Sequence, residues 1–345
     1  MNEDLVIESN RTILEALKRL NSLKNISRLI LFVVENNKVV GSITDGDIRR
    51  SILNDSDLNK KVIEICNTNF IFKEETNGYI DLKSDINENL KILPILFKDK
   101  TLSRIIDLDK IKSIIPVECV IMAGGRGKRL SPLTDNIPKP MLKLGSKPII
   151  EHNIDNLISF GIKKFYISIN YLGNLIKDYF GDGSSKGIEI IYIQEDTPLG
   201  TAGSLTLISK FKYDKILLIN SDLFTNVNIE KMYLNLFKNN SDMVIASSIY
   251  KVDIPFAIFE ENSNTIHSFK EKPTFTYPLN AGIYLFKKNL ISLIPSDLFF
   301  DITDLMKKAM ENNYKLTHEP ILGFWIDIGS PTDLKRANEL MKTLN

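Results

Sequence analysis

The sequence predicts an α/β protein: a mostly parallel sheet with helices on both faces, behind a smaller α/β unit. Three observations lead there. Over the last two thirds of the chain, short β-branched runs alternate with stretches of helical periodicity, the pattern of strand–helix–strand crossovers. A glycine-rich segment, Ala123-Gly124-Gly125-Arg126-Gly127-Lys128-Arg129-Leu130, directly follows one such run, where a strand's carboxyl end turns toward a helix and ligands of open sheets sit. The front of the chain, by contrast, repeats a small unit at an offset of 62 residues.

In order, a helix with Ile13, Leu14, Leu17 and Leu20 on one face opens the chain. A strand over Leu29 to Val34, a polar turn at Asn36-Asn37, a strand over Val39 to Ile43 and a helix from Asp47-Ile48-Arg49-Arg50 follow. Residues 31 to 47 align without gaps on 93 to 109, so a second unit of strand, turn, strand and helix is expected, with Asp45 and Asp47 facing Asp107 and Asp109. Ser103 then stands for Gly41 and Ile106 for Thr44. Mixed charge and Pro116 end this region, which places the domain boundary between residues 1–115 and 116–345. Beyond it Val117 to Met122, Phe165 to Asn170, Ile188 to Ile193, Lys215 to Ile219, Met243 to Tyr250 and Ile283 to Phe286 read as strands of a Rossmann-like sheet. Ser330 caps a last helix with Pro331 in its first turn.

At 345 residues, 43% hydrophobic and 25% charged, the chain has the composition of an ordinary soluble protein. A formal charge of +1 supplies no field for nucleic acid or an anionic membrane, so the basic residues near the glycines are local ligand groups. Runs such as Leu29 to Val34 are too short to span a bilayer and the polar start Met1-Asn2-Glu3-Asp4 lacks signal-peptide form, so a cytoplasmic location is expected. Cys66 and Cys119 are far apart, and His152, His267 and His318 are dispersed, which speaks against a disulfide, a zinc site or a histidine triad.

Glycines let a backbone approach a polyphosphate and aim its N–H groups at the oxygens, while Arg126, Lys128, Arg129 and Lys139 neutralise charge. A Walker loop needs Ser or Thr where Arg129 follows Gly127-Lys128, and a dinucleotide fingerprint needs a small residue where Leu130 stands. The longer pattern is more specific. Gly-Gly-x-Gly-x-Arg-Leu, Pro132-Leu133-Thr134, Pro138-Lys139-Pro140 and Lys147-Pro148-Ile149-Ile150-Glu151-His152 are followed by Leu199-Gly200-Thr201-Ala202-Gly203, Asn220-Ser221-Asp222, Glu271-Lys272-Pro273, Asn280-Ala281-Gly282 and Trp325-Ile326-Asp327-Ile328-Gly329. This series resembles the signature of the sugar-1-phosphate nucleotidyltransferases, and the front repeat resembles a tandem pair of cystathionine-β-synthase (CBS) domains.

The resemblance implies the nucleotidyltransferase fold and a Mg²⁺-dependent transfer from a nucleoside triphosphate to a sugar 1-phosphate. It places Ala123, Gly124, Gly125, Gly127, Glu195, Gly200 and Thr201 on the nucleotide and Gly203, Glu271, Lys272 and Asn280 on the sugar phosphate. Arg129 and Lys139 bear on the triphosphate, and Asp222 and Asp327 hold the metal. Phe256-Ala257 departs from the family, which often has Gly there. Glu195 stands where uridylyl- and thymidylyltransferases of the family commonly carry a base-reading Gln; a carboxylate only accepts, which suits the two adjacent donors of guanine and favours GTP. In the front repeat, Thr44 and Asp47 are the expected ligand residues for an adenine or guanine nucleotide effector, and a homodimer or higher homo-oligomer is expected. The fusion resembles glucosamine-1-phosphate guanylyltransferases of bacterial legionaminic acid synthesis. Heptose- or mannose-1-phosphate guanylyltransferase and glucose-1-phosphate thymidylyl- or uridylyltransferase are rivals within the class, and a non-catalytic nucleotide sensor is the rival outside it.

Overall fold

The computed structural model describes residues 3–24, 26–55, 57–76, 78–82 and 90–344; Met1 and Asn2 of the polar start lie outside them. The chain divides into two compact units, residues 1–114 and 115–345.

The first unit holds β1 (Val6–Glu8), α1 (Ile13–Ser22), β2 (Ile30–Glu35), β3 (Lys38–Thr44), α2 (Asp45–Asn54), β4 (Lys73–Glu74), β5 (Ile92–Leu96) and β6 (Leu102–Asp107). Thr12 starts α1: its Oγ1 accepts from Glu15 N at 3.3 Å while Thr12 N donates to Glu15 Oε2 at 2.8 Å. The helix buries Ile13, Ala16 and Leu20 against Leu31, Val33 and Ile43. Leu14, read as core, points outward because a residue next to Ile13 lies about 100° around the helix from it.

The duplication is visible as two three-stranded sheets, β1-β2-β3 and β4-β5-β6, each a parallel pair followed by an antiparallel hairpin. Both hairpins carry a bulge at the same place, Val33/Val34 and Ile95/Leu96. The turns differ. Asn36 and Asn37, both at positive φ (49° and 65°), make a two-residue turn. In the second hairpin Lys100 N donates to Phe97 O at 2.8 Å and Phe97 N to Thr101 O at 2.9 Å, around a three-residue loop ending in left-handed Lys100 (φ 67°). The gap-free alignment therefore fails past the turn. Ile30 pairs with Thr44 but Ile92 pairs with Asp107, and Val33 with Gly41 but Ile95 with Arg104. Asp107 and Arg104, rather than Ile106 and Ser103, occupy the places of Thr44 and Gly41, and Asp45 and Asp47 do not face Asp107 and Asp109. The expected second helix is also absent: residues 108–110 form one turn, and the bridge between Ile80 and Ile114 draws the chain out extended.

The second unit comprises β7 (Glu118–Met122), β8 (Lys143–Leu144), β9 (Lys147–Pro148), α3 (Ile149–Ile158), β10 (Lys164–Ile169), α4 (Gly173–Phe180), β11 (Glu189–Gln194), α5 (Gly200–Gly203), β12 (Lys215–Asn220), β13 (Leu223–Thr225) and α6 (Ile229–Lys238). It continues with β14 (Met243–Asp253), β15 (Ile258–Asn262), β16 (Thr265–Lys270), β17 (Thr274–Lys287), α7 (Ile302–Glu311), β18 (Leu316–Pro320), β19 (Trp325–Asp327) and α8 (Pro331–Leu344). Seven strands form one sheet in the order β11-β10-β7-β12-β17-β14-β18, in which β17 alone runs against the others. The expected mostly parallel sheet is present, with two strands longer than expected: β14 and β17 stay paired past the sheet as far as Asp253 and Thr274.

One face of the sheet buries Val120, Tyr166, Leu218 and Phe286 under Ile302 and Leu305 of α7. A second cluster joins Leu130 after the glycine loop to Ile326, Ile328 and Ala337, which fixes the loop to β19 and α8. Ser330 caps α8 as expected, its Oγ donating to Asp333 Oδ2 at 2.6 Å.

In the first unit, Ser42 and Asn67 exchange backbone hydrogen bonds at 3.0 and 2.8 Å, so the chain passes close over β3. A Cβ on Gly41 would lie 2.6 Å from Cys66 Sγ and 3.1 Å from Asn67 O. Gly41→Ala is expected to lower the stability of this unit by about 1–3 kcal/mol, read from its denaturation midpoint, and Cys66→Ala added to it should recover part of the loss.

Candidate active site

The carboxyl ends of β7, β10, β11 and β12 converge on a cleft of about 290 Å³ whose wall includes Gly124, Gly125, Lys139, Glu195, Gly200 and Asp222. The loop after β7 enters it anchored by Ala123 N, which donates to Ser168 O at 2.8 Å. At Gly124 a Cβ would stand 3.3 Å from Asn170 Cβ and 3.4 Å from Glu195 Oε1, whereas at Gly125 it would meet nothing within 4 Å. One glycine lets the loop lie against the wall and the other leaves room above it for a ligand. Gly127, left-handed at φ 65°, accepts from Thr134 Oγ1 at 2.9 Å and packs on Lys139.

Glu195 is buried at the end of β11. Ser168 Oγ donates to its Oε1 and Leu199 N to its Oε2, the latter at 3.2 Å, while Asn170 Nδ2 holds its carbonyl at 2.8 Å. Two internal donors fix the carboxylate and leave it acceptor capacity toward the cleft. Gly200 (φ 75°) passes so close to the segment before α7 that a Cβ would lie 2.7 Å from Phe300 O. Thr201 N and Oγ1 donate to Asp301 Oδ1 at 3.0 and 3.2 Å. Ile302 N donates back to Thr201 Oγ1 at 2.8 Å, so the hydroxyl ties α5 to α7. Gly203 lies off the cleft, buried where a Cβ would be 2.9 Å from Leu298 O.

At the other end, β13 and β19 pair Leu223 with Asp327, and Ile328 N donates to Asp222 O at 3.0 Å. Two carboxylates are thereby set side by side. Lys139 Nζ is ion-paired with Asp222 Oδ2 and lies 3.9 Å from Asp327 Oδ1. Arg129 reaches the same end, its guanidinium 3.4 Å from where a Gly329 Cβ would be. Burial, and then the charge of Asp222, push the Asp327 carboxyl above the ordinary aspartate range, against the pull of Lys139 and Arg129. That donor set fits Mg²⁺: two hard oxygen ligands whose mutual repulsion a divalent cation relieves. Among the described residues no group of three or more His, Cys, Asp or Glu forms a metal cage, so substrate phosphate oxygens would complete the shell.

The remaining expected residues lie elsewhere. Glu271 and Lys272 are exposed between β16 and β17, with Lys272 left-handed at φ 43°. Asn280 is exposed on β17 and accepts from Gly282 N at 3.0 Å. Thr44 and Asp47, in the first unit, are bound to each other: Asp47 Oδ2 accepts from Thr44 N at 2.8 Å and Thr44 Oγ1 at 2.6 Å, and Asp47 Oδ1 accepts from Arg50 at 2.5 Å. They start α2 as a capping box, so a ligand there must share their hydrogen bonds. Residues of the cleft that had not been singled out for it include Asn170, Asp301 and Asn220, whose buried Oδ1 has no partner. The only sequence signal for Asp301 was a capping residue before an apolar helix. No helix among the described residues is long and apolar enough to cross a membrane.

A glycine loop, two cations and paired aspartates thus stand together at the carboxyl end of the sheet. Residues 118–343 match the nucleotidyl transferase family and residues 1–54 a CBS domain. The chain belongs to the nucleotidyl transferase family, with a CBS domain at its front. A mannose-1-phosphate guanylyltransferase of Mycobacterium tuberculosis is 28% identical over 230 residues, 64% of each chain. A bifunctional protein GlmU of Methanococcus maripaludis is 32% identical over 234 residues, 64% of this chain and 54% of that one. The chain thus spans between about half and two thirds of the length of these relatives. Of solved structures, a candidate glucose-1-phosphate thymidylyltransferase of Bacillus anthracis superimposes with a TM-score of 0.53 at 28% identity, over 66% of this chain and 96% of that one. HddC of Yersinia pseudotuberculosis, complexed with GMP-PN, gives 0.51 at 25% identity, over 65% and 98%.

Because the ionised form of Asp327 is disfavoured in the fold, its cost is absent below the ordinary aspartate pKa and fully present above the raised one. Asp327→Asn is therefore expected to melt no lower than wild type at neutral pH without divalent cations, yet to lose turnover by roughly 10²-fold or more. Asp222→Asn should lose as much turnover. Near-normal Mg²⁺-dependent rates in both variants would disprove the paired-aspartate site.

Proposed function

We propose that this protein transfers a nucleoside monophosphate, preferentially from GTP, to a sugar 1-phosphate, releasing pyrophosphate with Mg²⁺ as cofactor. The observation that carries the reading is Lys139 held between Asp222 and Asp327 in the same cleft as the glycine cradle. A sugar phosphate is an ionised nucleophile already, so its oxygen attacks the α-phosphorus without a protein base. The new P–O bond forms as the bond to the β-phosphate oxygen breaks, and pyrophosphate leaves with the electron pair. Gly124 and Gly125 let the backbone approach the triphosphate, and Lys139 and Arg129 neutralise charge that grows on the departing pyrophosphate. Asp222 and Asp327 would hold Mg²⁺, which supplies charge neutralisation at the phosphate oxygens. Lys272 anchors the phosphate of the sugar, and Glu271 and Asn280 bond its hydroxyls.

Glucosamine 1-phosphate, for legionaminic acid or another surface glycan, is the sugar proposed from the resemblance of the whole fusion, which does not itself read the sugar. Relatives named mannose-1-phosphate guanylyltransferases support mannose 1-phosphate, and the candidate glucose-1-phosphate thymidylyltransferase structure supports glucose 1-phosphate. Pyrophosphate release measured over four nucleoside triphosphates and a panel of sugar 1-phosphates discriminates them. Turnover of none of these pairs would leave the nucleotide-sensor reading.

The base preference is placed on Glu195. Both oxygens can accept from guanine N1–H and the 2-amine, whereas a pyrimidine offers one donor between two carbonyls. Glu195→Gln is expected to shift the GTP preference toward UTP or dTTP about ten-fold, since an unpaired buried polar group costs about 1–3 kcal/mol. A wild type that prefers UTP or dTTP would refute the assignment.

The front unit is proposed to bind an adenine or guanine nucleotide through Thr44 and Asp47 and to alter the transferase rate. Calorimetry with AMP and GMP should show a binding event that Asp222→Asn retains and Thr44→Val loses. Loss of that event in neither variant would place the ligand elsewhere.

A further inference from the structure

Residues 248–280 form an arm of two antiparallel ribbons, each with one apolar face left open. In the first, where β14 and β17 continue past the sheet, Tyr250 is opposite Tyr277, Val252 opposite Phe275 and Ser248 opposite Leu279. Side chains alternate across a strand, so Tyr250, Val252, Phe275, Tyr277 and Leu279 share a face. In the second, β15 and β16, Phe259 is opposite Phe269. The reverse face of that ribbon is polar and internally satisfied, with Lys270 on Glu260 at 2.6 Å and Ser268 Oγ donating to the same carboxylate. The apolar face is not satisfied. Phe259 and Phe269 are 61% and 63% exposed, Tyr250 and Tyr277 53% and 51%, and Phe256, in the segment that joins the ribbons, 73%.

A two-stranded ribbon is marginal in water unless something covers its apolar side. On these faces Phe259, Phe269 and Ile266 of one ribbon and Tyr250, Val252, Tyr277 and Leu279 of the other together present on the order of 600 Å² of apolar surface, approaching the roughly 800 Å² that each partner gives to a stable interface. The charge of the arm narrows the partner. Lys251, Lys270 and Lys272 are balanced by Asp253, Glu260, Glu261 and Glu271, so it has no cationic field for a nucleic acid or an anionic membrane. A surface of this size, apolar and near neutral, suits a copy of itself, as in an isologous dimer.

We infer that the arm is the surface through which two copies of this chain associate, and that association holds the sugar-phosphate residues in place. Glu271 and Lys272 form the turn between the two ribbons and Asn280 ends the first one. Covering the ribbons restrains the loop that carries the second substrate's ligands, while the cradle and Glu195 stand on the sheet. This second half rests on the proposed role of Lys272.

The test uses the full chain. Sedimentation at tens of micromolar is expected to give wild type at two chain masses or a multiple of two. Two double variants, Phe259→Lys with Phe269→Glu and Tyr250→Lys with Tyr277→Glu, keep attractive cross-strand pairs while removing the apolar faces, and circular dichroism checks their fold. At least one should halve the mass and raise KM for the sugar 1-phosphate about five-fold or more, with KM for the triphosphate little changed. A single-chain wild type, or unchanged mass in both folded variants, overturns the association. Halved mass with unchanged KM overturns its link to sugar binding. Should wild type turn over no sugar 1-phosphate, the proposed reaction fails while the mass measurement still decides the association.

Discussion

The site depends on one electrostatic arrangement: two aspartates forced together by backbone pairing, with an ammonium between them. Main-chain bonds between β13 and β19, and from Ile328 to Asp222, set the carboxylates side by side whatever their charges prefer. Their repulsion is moderated by Lys139 and Arg129, and the Asp327 pKa is still raised, by burial first and then by Asp222. A cluster so balanced is poised rather than relaxed. In the proposed reaction a divalent cation and a polyphosphate would bring opposite charges to it together, and Lys139 would exchange a carboxylate for a phosphate without a large change in net charge. The apolar cluster of Leu130, Ile326, Ile328 and Ala337 resists any spreading of the frame that carries these groups.

The same economy governs the other end of the cleft. Glu195 is bonded by Ser168 and Leu199 before any ligand arrives, and Gly124 lets the loop come up against it. A preformed acceptor of this kind would need no reorganisation to take the hydrogen bonds of a base, as the proposed role of Glu195 requires.

Much of this was legible in the sequence because the motifs are continuous and their residues have few physical alternatives. Gly124, Gly125 and Gly127 after a β-branched run marked the loop that enters the cleft, and Asp222 and Asp327 stood at strand ends in recognisable surroundings. The partnership of Lys139 with Asp222, 83 residues away, was not legible, because only the sheet brings them together. Asp301 was hidden for the same reason, and Asn220 was seen only as part of a motif. The second hairpin misled because a gap-free alignment conceals a turn one residue longer, and the extra residue sits in the loop, where the ladder before it is unchanged. Thr44 and Asp47 matched a ligand pattern that is also the pattern of a capping box, and residue types alone do not separate the two uses.

β17 has a consequence for the order of events. From Tyr284 to Phe286 it is paired on both sides, by β12 and β14; from Thr274 to Asn280 it is paired on β14 alone. Left-handed Gly282, pressed against Asn220, marks the change. One strand thus runs from a firm half, which bears on the nucleotide cleft, into a compliant half that leads to Lys272. A firm half-site is complete before the compliant one is engaged. Under the proposed reaction, a strand divided in this way would favour binding of the triphosphate before the sugar phosphate.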